Sequence, residues 1–363
     1  MNIVSVVGAR PSFVKVAPLA WHFEKSRDVN HTIIHTGQHY DEELYSSFFK
    51  TLGIPSPRFD LGVGSGNHGR MTGDIMRELE NILKGIEVDW VVVYGASNSS
   101  MAGALTAAKL GLNIAHIESG LRTGMKKHPE EINRRVAETV SDLLFATGTI
   151  SRENLVRDGI PESNIVVVGN LMVDALIRFL PVIKERQTYK QFDVECKNYI
   201  LVTMHQPYNV DDKKRFSYLI DELLEISETL PILFSLHPRT SHRLSEFNLL
   251  ERLLKSDGVR LIAPQDYLDF LSLVECAKGL ITDSGGIADE TTYLGIPCLT
   301  LRPSVERAIT VTIGTNEQVD TRPGALLEMT NILLEGKWKE GKIPELWDGK
   351  TASRIANALI GMV

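Results

Sequence analysis

The chain reads as α/β, built from two Rossmann-like halves of similar size. Three observations predict this. Short apolar, β-branched runs recur along the 363 residues, helix-length segments separate them, and the pattern breaks once and restarts. Alternation of this kind gives a parallel sheet covered by helices on both faces. A chain of this length is also long for one core and comfortable for two.

In order, the strand-like runs of the first half are Ile3–Val7, Thr32–His35, Trp90–Tyr94, Asn113–Ile117 and Leu143–Ala146, with Ile165–Val168 closing it. Val173–Ile183 is helical, and the polar stretch Lys184–Gln191 marks the entry to a second unit. The pattern restarts at Tyr199–Thr203, Ile232–Leu236, Val259–Ile262, Gly279–Thr282 and Cys298–Leu301. Thr351–Met362 reads as an amphipathic helix that can close back over the first half. The expected division is therefore residues 1–170 joined by the C-terminal helix 351–363, and residues 171–350.

Composition narrows the function classes. Hydrophobic residues at 43% and charged residues at 23% are ordinary for a soluble globular protein. The formal charge of -7 argues against a general nucleic-acid binder, which needs net basic surface. Met1–Gly8 is apolar but too short for a signal or membrane helix, so no membrane association is expected and the segment reads as the first strand. Cys196, Cys276 and Cys298 are odd in number and lack CxxC spacing. Neither a disulfide framework nor a structural zinc site is expected, which fits a reducing cytoplasm.

The stretch from Gly279 to Pro297 organises the second half: a buried strand, a tight turn at Ser284-Gly285-Gly286, and a helix closed by Gly295. A helix N-terminus behind two glycines is a ready anion site; equally, Ser284 is a normal helix cap. In the first half, Gly8-Ala9-Arg10-Pro11-Ser12-Phe13-Val14-Lys15 matches neither the dinucleotide nor the P-loop pattern. Arg10 and Lys15 still place two cations at a strand's carboxyl end, where they either meet phosphate or stay solvated. Gly62-Val63-Gly64-Ser65-Gly66-Asn67 does not directly follow any strand in this reading and counts as a plain loop. The hydroxyls of Ser97–Ser100 favour helix capping.

His116 and Glu118 fall at the carboxyl edge where open α/β sheets bind ligands. Glu131 lies in Pro129-Glu130-Glu131, where proline and acids are also normal first-turn chemistry. His205 and His237 each follow a strand at equivalent edges, and Arg302–Arg307 follows another. No His/Asp/Glu cluster shows ligand spacing, so no metal is expected.

Taken together, the segments resemble the non-hydrolysing UDP-N-acetylglucosamine 2-epimerase family over nearly the whole chain. The resemblance rests on Gly8, Arg10-Pro11 and Lys15; Thr36-Gly37-Gln38-His39; His116-Ile117-Glu118 with Gly120-Leu121-Arg122; and Pro129-Glu130-Glu131-Ile132-Asn133-Arg134. It continues through Gly169-Asn170, His237-Pro238, Thr282-Asp283-Ser284-Gly285-Gly286 and Glu306-Arg307. It implies the glycosyltransferase-B architecture with the nucleotide sugar in an interdomain cleft, a homodimer, and no cofactor. By the same resemblance Arg10 holds diphosphate, Ser284, Gly285 and Gly286 bind phosphate oxygens, Glu290 binds the ribose, and His205 sits at the leaving diphosphate. Lys15, His237 and Arg307 belong to the UDP-binding set, and Glu118 and Glu131 are acid/base or positioning carboxylates. Four departures stand out: Ala96 replaces the family's Asp, Ser12 its Glu, Gln206-Pro207-Tyr208 its Arg-x-Glu, and Ala308 its Pro. Ala96 cannot transfer a proton, so the reading is an epimerase with an altered site. The alternatives are a UDP-sugar hydrolase or glycosyltransferase on the same scaffold, or a non-catalytic UDP-sugar binder. The change at Gln206 also bears on whether a second, regulatory UDP-sugar binds.

Overall fold

Val, Ile and Leu runs that are apolar on every residue suit strands buried on both faces, which is what parallel sheets demand. In β1 (Asn2–Val7), Ile3, Val4, Val6 and Val7 are all essentially inaccessible. The computed structural model describes residues 1–37 and 48–362; Gln38 and His39 of the Thr36–His39 motif, and Val363 at the end of the expected C-terminal segment, lie outside the described residues. The chain forms two compact units, Met1–Ile177 with Glu345–Val363, and Arg178–Pro344.

The first unit contains β1 followed by β2 (Asn30–His35), β3 (Phe59–Asp60), β4 (Trp90–Tyr94), β5 (Asn113–Ser119), β6 (Leu143–Ala146) and β7 (Ile165–Val167). They form a parallel sheet in the order β3-β2-β1-β4-β5-β6-β7. One core packs Val4, Val6, Val91 and Val93 against the helices His68–Leu83 and Asn98–Lys109. Thr351–Ile360, the last helix, buries Ile355, Ala356 and Leu359 within this unit.

The second unit contains β8 (Ile200–Met204), β9 (Ile232–Leu236), β10 (Val259–Ile262), β11 (Gly279–Thr282), β12 (Cys298–Thr300) and β13 (Asn316–Gln318). Their order is β10-β9-β8-β11-β12-β13, again parallel. Its two cores centre on Phe216, Phe234 and Ile281, and on Tyr199, Leu201 and Leu280. No helix among the described residues is long and apolar enough to cross a membrane.

Three sequence expectations are corrected. The strands β3 and β13 have only two and three residues, too few to show a period. Because β3 exists, the Gly62 loop does follow a strand, contrary to the sequence reading, and Val63 N–H donates to Thr36 O at 3.2 Å. Cys196 and Cys276, 80 residues apart, are joined as a disulfide, leaving Cys298 as the buried free thiol. The cysteine argument for a reducing compartment therefore falls away.

Candidate functional site

In each sheet the chain order reverses at one point, between β1 and β4 in the first unit and between β8 and β11 in the second. Turns leaving neighbouring strands diverge there, opening a crevice at the carboxyl ends. The motif residues gather at both places.

In the first unit, β1 ends in the turn before the helix Arg10–Phe23, and β4 ends at Gly95-Ala96-Ser97. Lys15 is buried and forms an ion pair with the equally buried Glu118. Glu118 has φ of +64°, in the left-handed region that non-glycine residues rarely enter, and the β5–β6 register shifts between Ile117 and Ser119. This irregularity lets Glu118 turn its carboxylate to Lys15, and backbone strain of this kind collects at functional sites. Gly95 is required beside the pair: a Cβ there would lie 3.1 Å from both Glu118 Oε2 and Lys15 Nζ.

The turn carrying Ala96 is held at three consecutive carbonyls. Ser100 Oγ donates to Tyr94 O at 2.6 Å, His116 Nε2 lies 2.7 Å from Gly95 O, and Asn133 Nδ2 donates to Ala96 O at 3.1 Å. Burial pushes the His116 imidazole toward its neutral form, so its place here is structural. Ser97 caps the next helix, accepting from Ser100 N–H at 3.1 Å. Ser12, where the family has Glu, turns back on its own loop: its hydroxyl accepts from Gly8 and Ala9 N–H at 3.2 and 3.3 Å and donates to Ala9 O. Arg10 is exposed at the helix start, with its guanidinium 6.0 Å from the Phe48 ring centre.

Glu131 is buried but fully engaged. Its carboxylate accepts from Thr123 N–H and Oγ1 at 3.0 and 3.1 Å and from Arg135 at 3.0 Å, with Arg134 at 3.5 Å. Burial raises its pKa, yet these donors outweigh burial and leave it below the usual value. It ties the Thr123 loop to its own helix.

In the second unit, the helix Ile287–Leu294 begins at Gly286 with no side-chain cap, so Ser284 is not its cap. Gly285 lies against Arg302, whose Nη1 is 2.5 Å from where a Cβ on Gly285 would stand. The Asp283 side chain, which the sequence reading left without a role, anchors the site. It accepts from His205 N–H at 3.0 Å, Gln206 N–H at 2.9 Å and Asn209 Nδ2 at 3.0 Å. Burial opposes its charge, but these donors and the His205 ring keep it ionised. His205 Nδ1, 3.1 Å from Asp283 Oδ1, must therefore carry a hydrogen, and the ring stays partly exposed.

His237 caps its own helix, accepting from Arg239 N–H, and its ring centre lies 5.2 Å from that of His205. Arg307 is paired with buried Asp289 at 2.6 Å, and Arg302 with Glu306 at 3.2 Å. Glu290 is buried, and burial raises its pKa to about 8 despite a 2.9 Å hydrogen bond from Tyr267. Tyr267 is a second residue that sequence reasoning missed. Cys196, Cys276 and Glu275 form a cluster of metal-ligating types, but its cysteines are bonded to each other.

The comparisons with known proteins follow this geometry. Residues 22–360 match the family model described as UDP-N-acetylglucosamine 2-epimerase. The UDP-N-acetylglucosamine 2-epimerase of Methanocaldococcus jannaschii is 39% identical over 99% of both chains. The UDP-2,3-diacetamido-2,3-dideoxy-D-glucuronate 2-epimerase of Pseudomonas aeruginosa is 35% identical, again over 99% of both. The crystal structure of the M. jannaschii enzyme with UDP-GlcNAc and UDP superposes with a TM-score of 0.90, covering 99% of this chain and all of that one. That of the Neisseria meningitidis enzyme bound to UDP-GlcNAc is 28% identical with the same TM-score, 0.90, and the same coverage of 99% and 100%.

Proposed function

Because the chain belongs to the UDP-N-acetylglucosamine 2-epimerase family, we propose that it is an isomerase interconverting UDP-N-acetylglucosamine and UDP-N-acetylmannosamine. The reaction removes the C2 proton and expels UDP from C1, giving 2-acetamidoglucal; re-addition of UDP to C1, with a solvent-derived proton delivered to the opposite face of C2, completes it. No net oxidation occurs, so no redox cofactor is needed.

The observation that carries this reading is Glu118, turned by a left-handed backbone onto Lys15 at the reversal point of the first sheet. A weakly acidic C–H needs a placed base, and Glu118 is that base, with its carboxylate oriented by the ion pair to Lys15. Glu131 is a positioning carboxylate. In the second unit Ser284, Gly285, Gly286 and the helix start take the diphosphate with His237 and Arg307, and Glu290 takes the ribose; Arg10, in the first unit, is a further diphosphate-binding cation by family resemblance. His205 donates from Nε2 to the departing phosphate oxygen when protonated, with Asp283 fixing its ring. We further assign residues 1–177 with 345–363 to the sugar side and 178–344 to the nucleotide side. A homodimer in the cytoplasm, feeding polysaccharide synthesis, completes the proposal; it rests on family resemblance and on the nature of the substrate.

Ala96 favours a second reading, in which elimination proceeds but re-addition is poor and UDP is released. Incubation with UDP-N-acetylglucosamine in D₂O, followed by NMR, separates the two. Deuterium at C2 with a manno product is expected. Free UDP with released glucal or sugar selects the second reading, and binding without turnover rejects both.

A further inference from the structure

Glu290 has little freedom to find its own orientation. It sits in the first turn of Ile287–Leu294, its residue almost wholly inaccessible, next to Asp289, which is itself paired with Arg307. A carboxylate with three rotatable side-chain bonds samples several rotamers unless something fixes it. What fixes it comes from another element. Tyr267 opens the helix Tyr267–Cys276, whose N-cap Asp266 accepts from Asp269 N–H, and its phenol donates to Glu290 Oε1 at 2.9 Å. The far end of that helix is tied by Cys276 to Cys196. Its start is tied through Asp266 and Asp269 to Arg186, with Thr188 Oγ1 on Asp269 at 2.9 Å. The phenol is thus presented from an element held at both ends. Burial holds its pKa well above the ordinary tyrosine value, so it is a donor throughout the working pH range.

We propose that Tyr267 is a positioning residue for the nucleotide's ribose: it occupies Oε1 of Glu290, holds the carboxylate in one rotamer, and leaves Oε2 to meet the vicinal hydroxyls. This deepens the assignment of Glu290 to the ribose and rests on it. A preset acceptor gains affinity because its ordering cost is met on folding rather than on binding. The selectivity that results is directed at the hydroxyls, not at the diphosphate or base.

Tyr267→Phe removes one oxygen and keeps the ring, so packing is retained. Calorimetric titration with UDP and with 2′,3′-dideoxy-UDP then reads the hydroxyl-specific part of the affinity. The wild type should prefer UDP. Tyr267→Phe should weaken UDP by about fivefold, the scale of one lost hydrogen bond, and leave dideoxy-UDP unchanged. Glu290→Ala should erase the preference altogether, and adding Tyr267→Phe to it should change nothing more. If Tyr267→Phe weakens both ligands equally, the phenol is only structural and the proposal fails. Unchanged UDP affinity in Tyr267→Phe, with the preference erased in Glu290→Ala, also sinks the Tyr267 proposal while sparing the ribose assignment. A preference that survives Glu290→Ala overturns both. Should the Phe variant melt early, Glu290→Gln offers a second test. Its amide oxygen still accepts from Tyr267, so it must retain part of the preference if orientation is what matters.

Discussion

At the level of single residues, the arrangement makes sharply different demands on Glu118, Glu131 and Glu290. Glu118 is paired with Lys15 and is the proposed base, so Glu118→Gln should lower turnover by roughly 10²–10⁴ with UDP affinity nearly intact, as steady-state rates and calorimetry will show. Glu131→Gln should instead lower the melting temperature, because it weakens the bonds to Thr123, Arg134 and Arg135. Glu290 carries a pH signature. Its pKa is about 8 in the fold, raised by burial from the ordinary 4.5. Between those values the folded chain keeps a proton that the unfolded chain has released, so stability falls as pH rises through this window and levels off above it. Glu290→Gln removes the titration while keeping an acceptor for Tyr267. The stability of the unliganded variant relative to wild type, read from thermal melts, should therefore climb from about pH 5 to about pH 8, by on the order of a few kcal/mol at the upper end, and a pH-independent difference would contradict the burial account. The sequence marked Glu118 by its place at a strand's carboxyl edge and Glu290 through the family resemblance, but not that Asp283 orients His205 or that Tyr267 holds Glu290. Those partners lie 78 and 23 residues apart, and neither spacing is a local pattern.

Helices and strands were legible wherever a local rule applied. Pro129 opens its helix at the first position, and Gly295 closes another with φ of +70°. The strands Trp90–Tyr94, Leu143–Ala146, Ile232–Leu236, Val259–Ile262 and Gly279–Thr282 have the expected bounds. What sequence patterns do not carry is an element that is stabilised from outside. The helix Ala325–Leu334 starts at Gly324 in a left-handed conformation with no side-chain cap of its own. Its first N–H groups are met instead by Glu222, over 100 residues earlier in the chain, whose two oxygens accept from Gly324 N–H and Leu327 N–H at 2.9 Å each. A carboxylate at this positive end also complements the helix dipole. Glu222→Ala should cost about 1–3 kcal/mol and Glu222→Gln less, measured as a shift in the thermal midpoint, since the amide keeps one acceptor. Equal losses in the two variants would mean that packing, not the two hydrogen bonds, is the contribution.

For the molecule as a whole, the chain leaves its first unit after Ile177 and returns to it at Glu345. The amphipathic pattern after Thr351 made the helix legible, but the residue that secures the return is Trp347, outside that helix. Trp347 is among the largest fully buried side chains, and its indole N–H donates to Thr147 O at 3.3 Å, just beyond β6. Around it, Ala352 N–H donates to Asp174 at 2.9 Å and Arg354 donates to Val168 O at 3.1 Å, so the returning segment meets the first unit through polar anchors as well as Ile355 and Leu359. No periodicity identifies Trp347, because it stands alone in a polar, turn-rich stretch. If the returning segment completes the first core, Trp347→Ala should cost about 3–5 kcal/mol, the usual loss for a fully buried tryptophan. The loss should be local in a way that separates the two units: amide hydrogen exchange should quicken in β5, β6, β7 and the helix Thr351–Ile360, while β8 to β13 keep their protection. Quickening spread evenly over both sheets would show instead that the two units unfold as one, and that the C-terminal segment serves the second as much as the first.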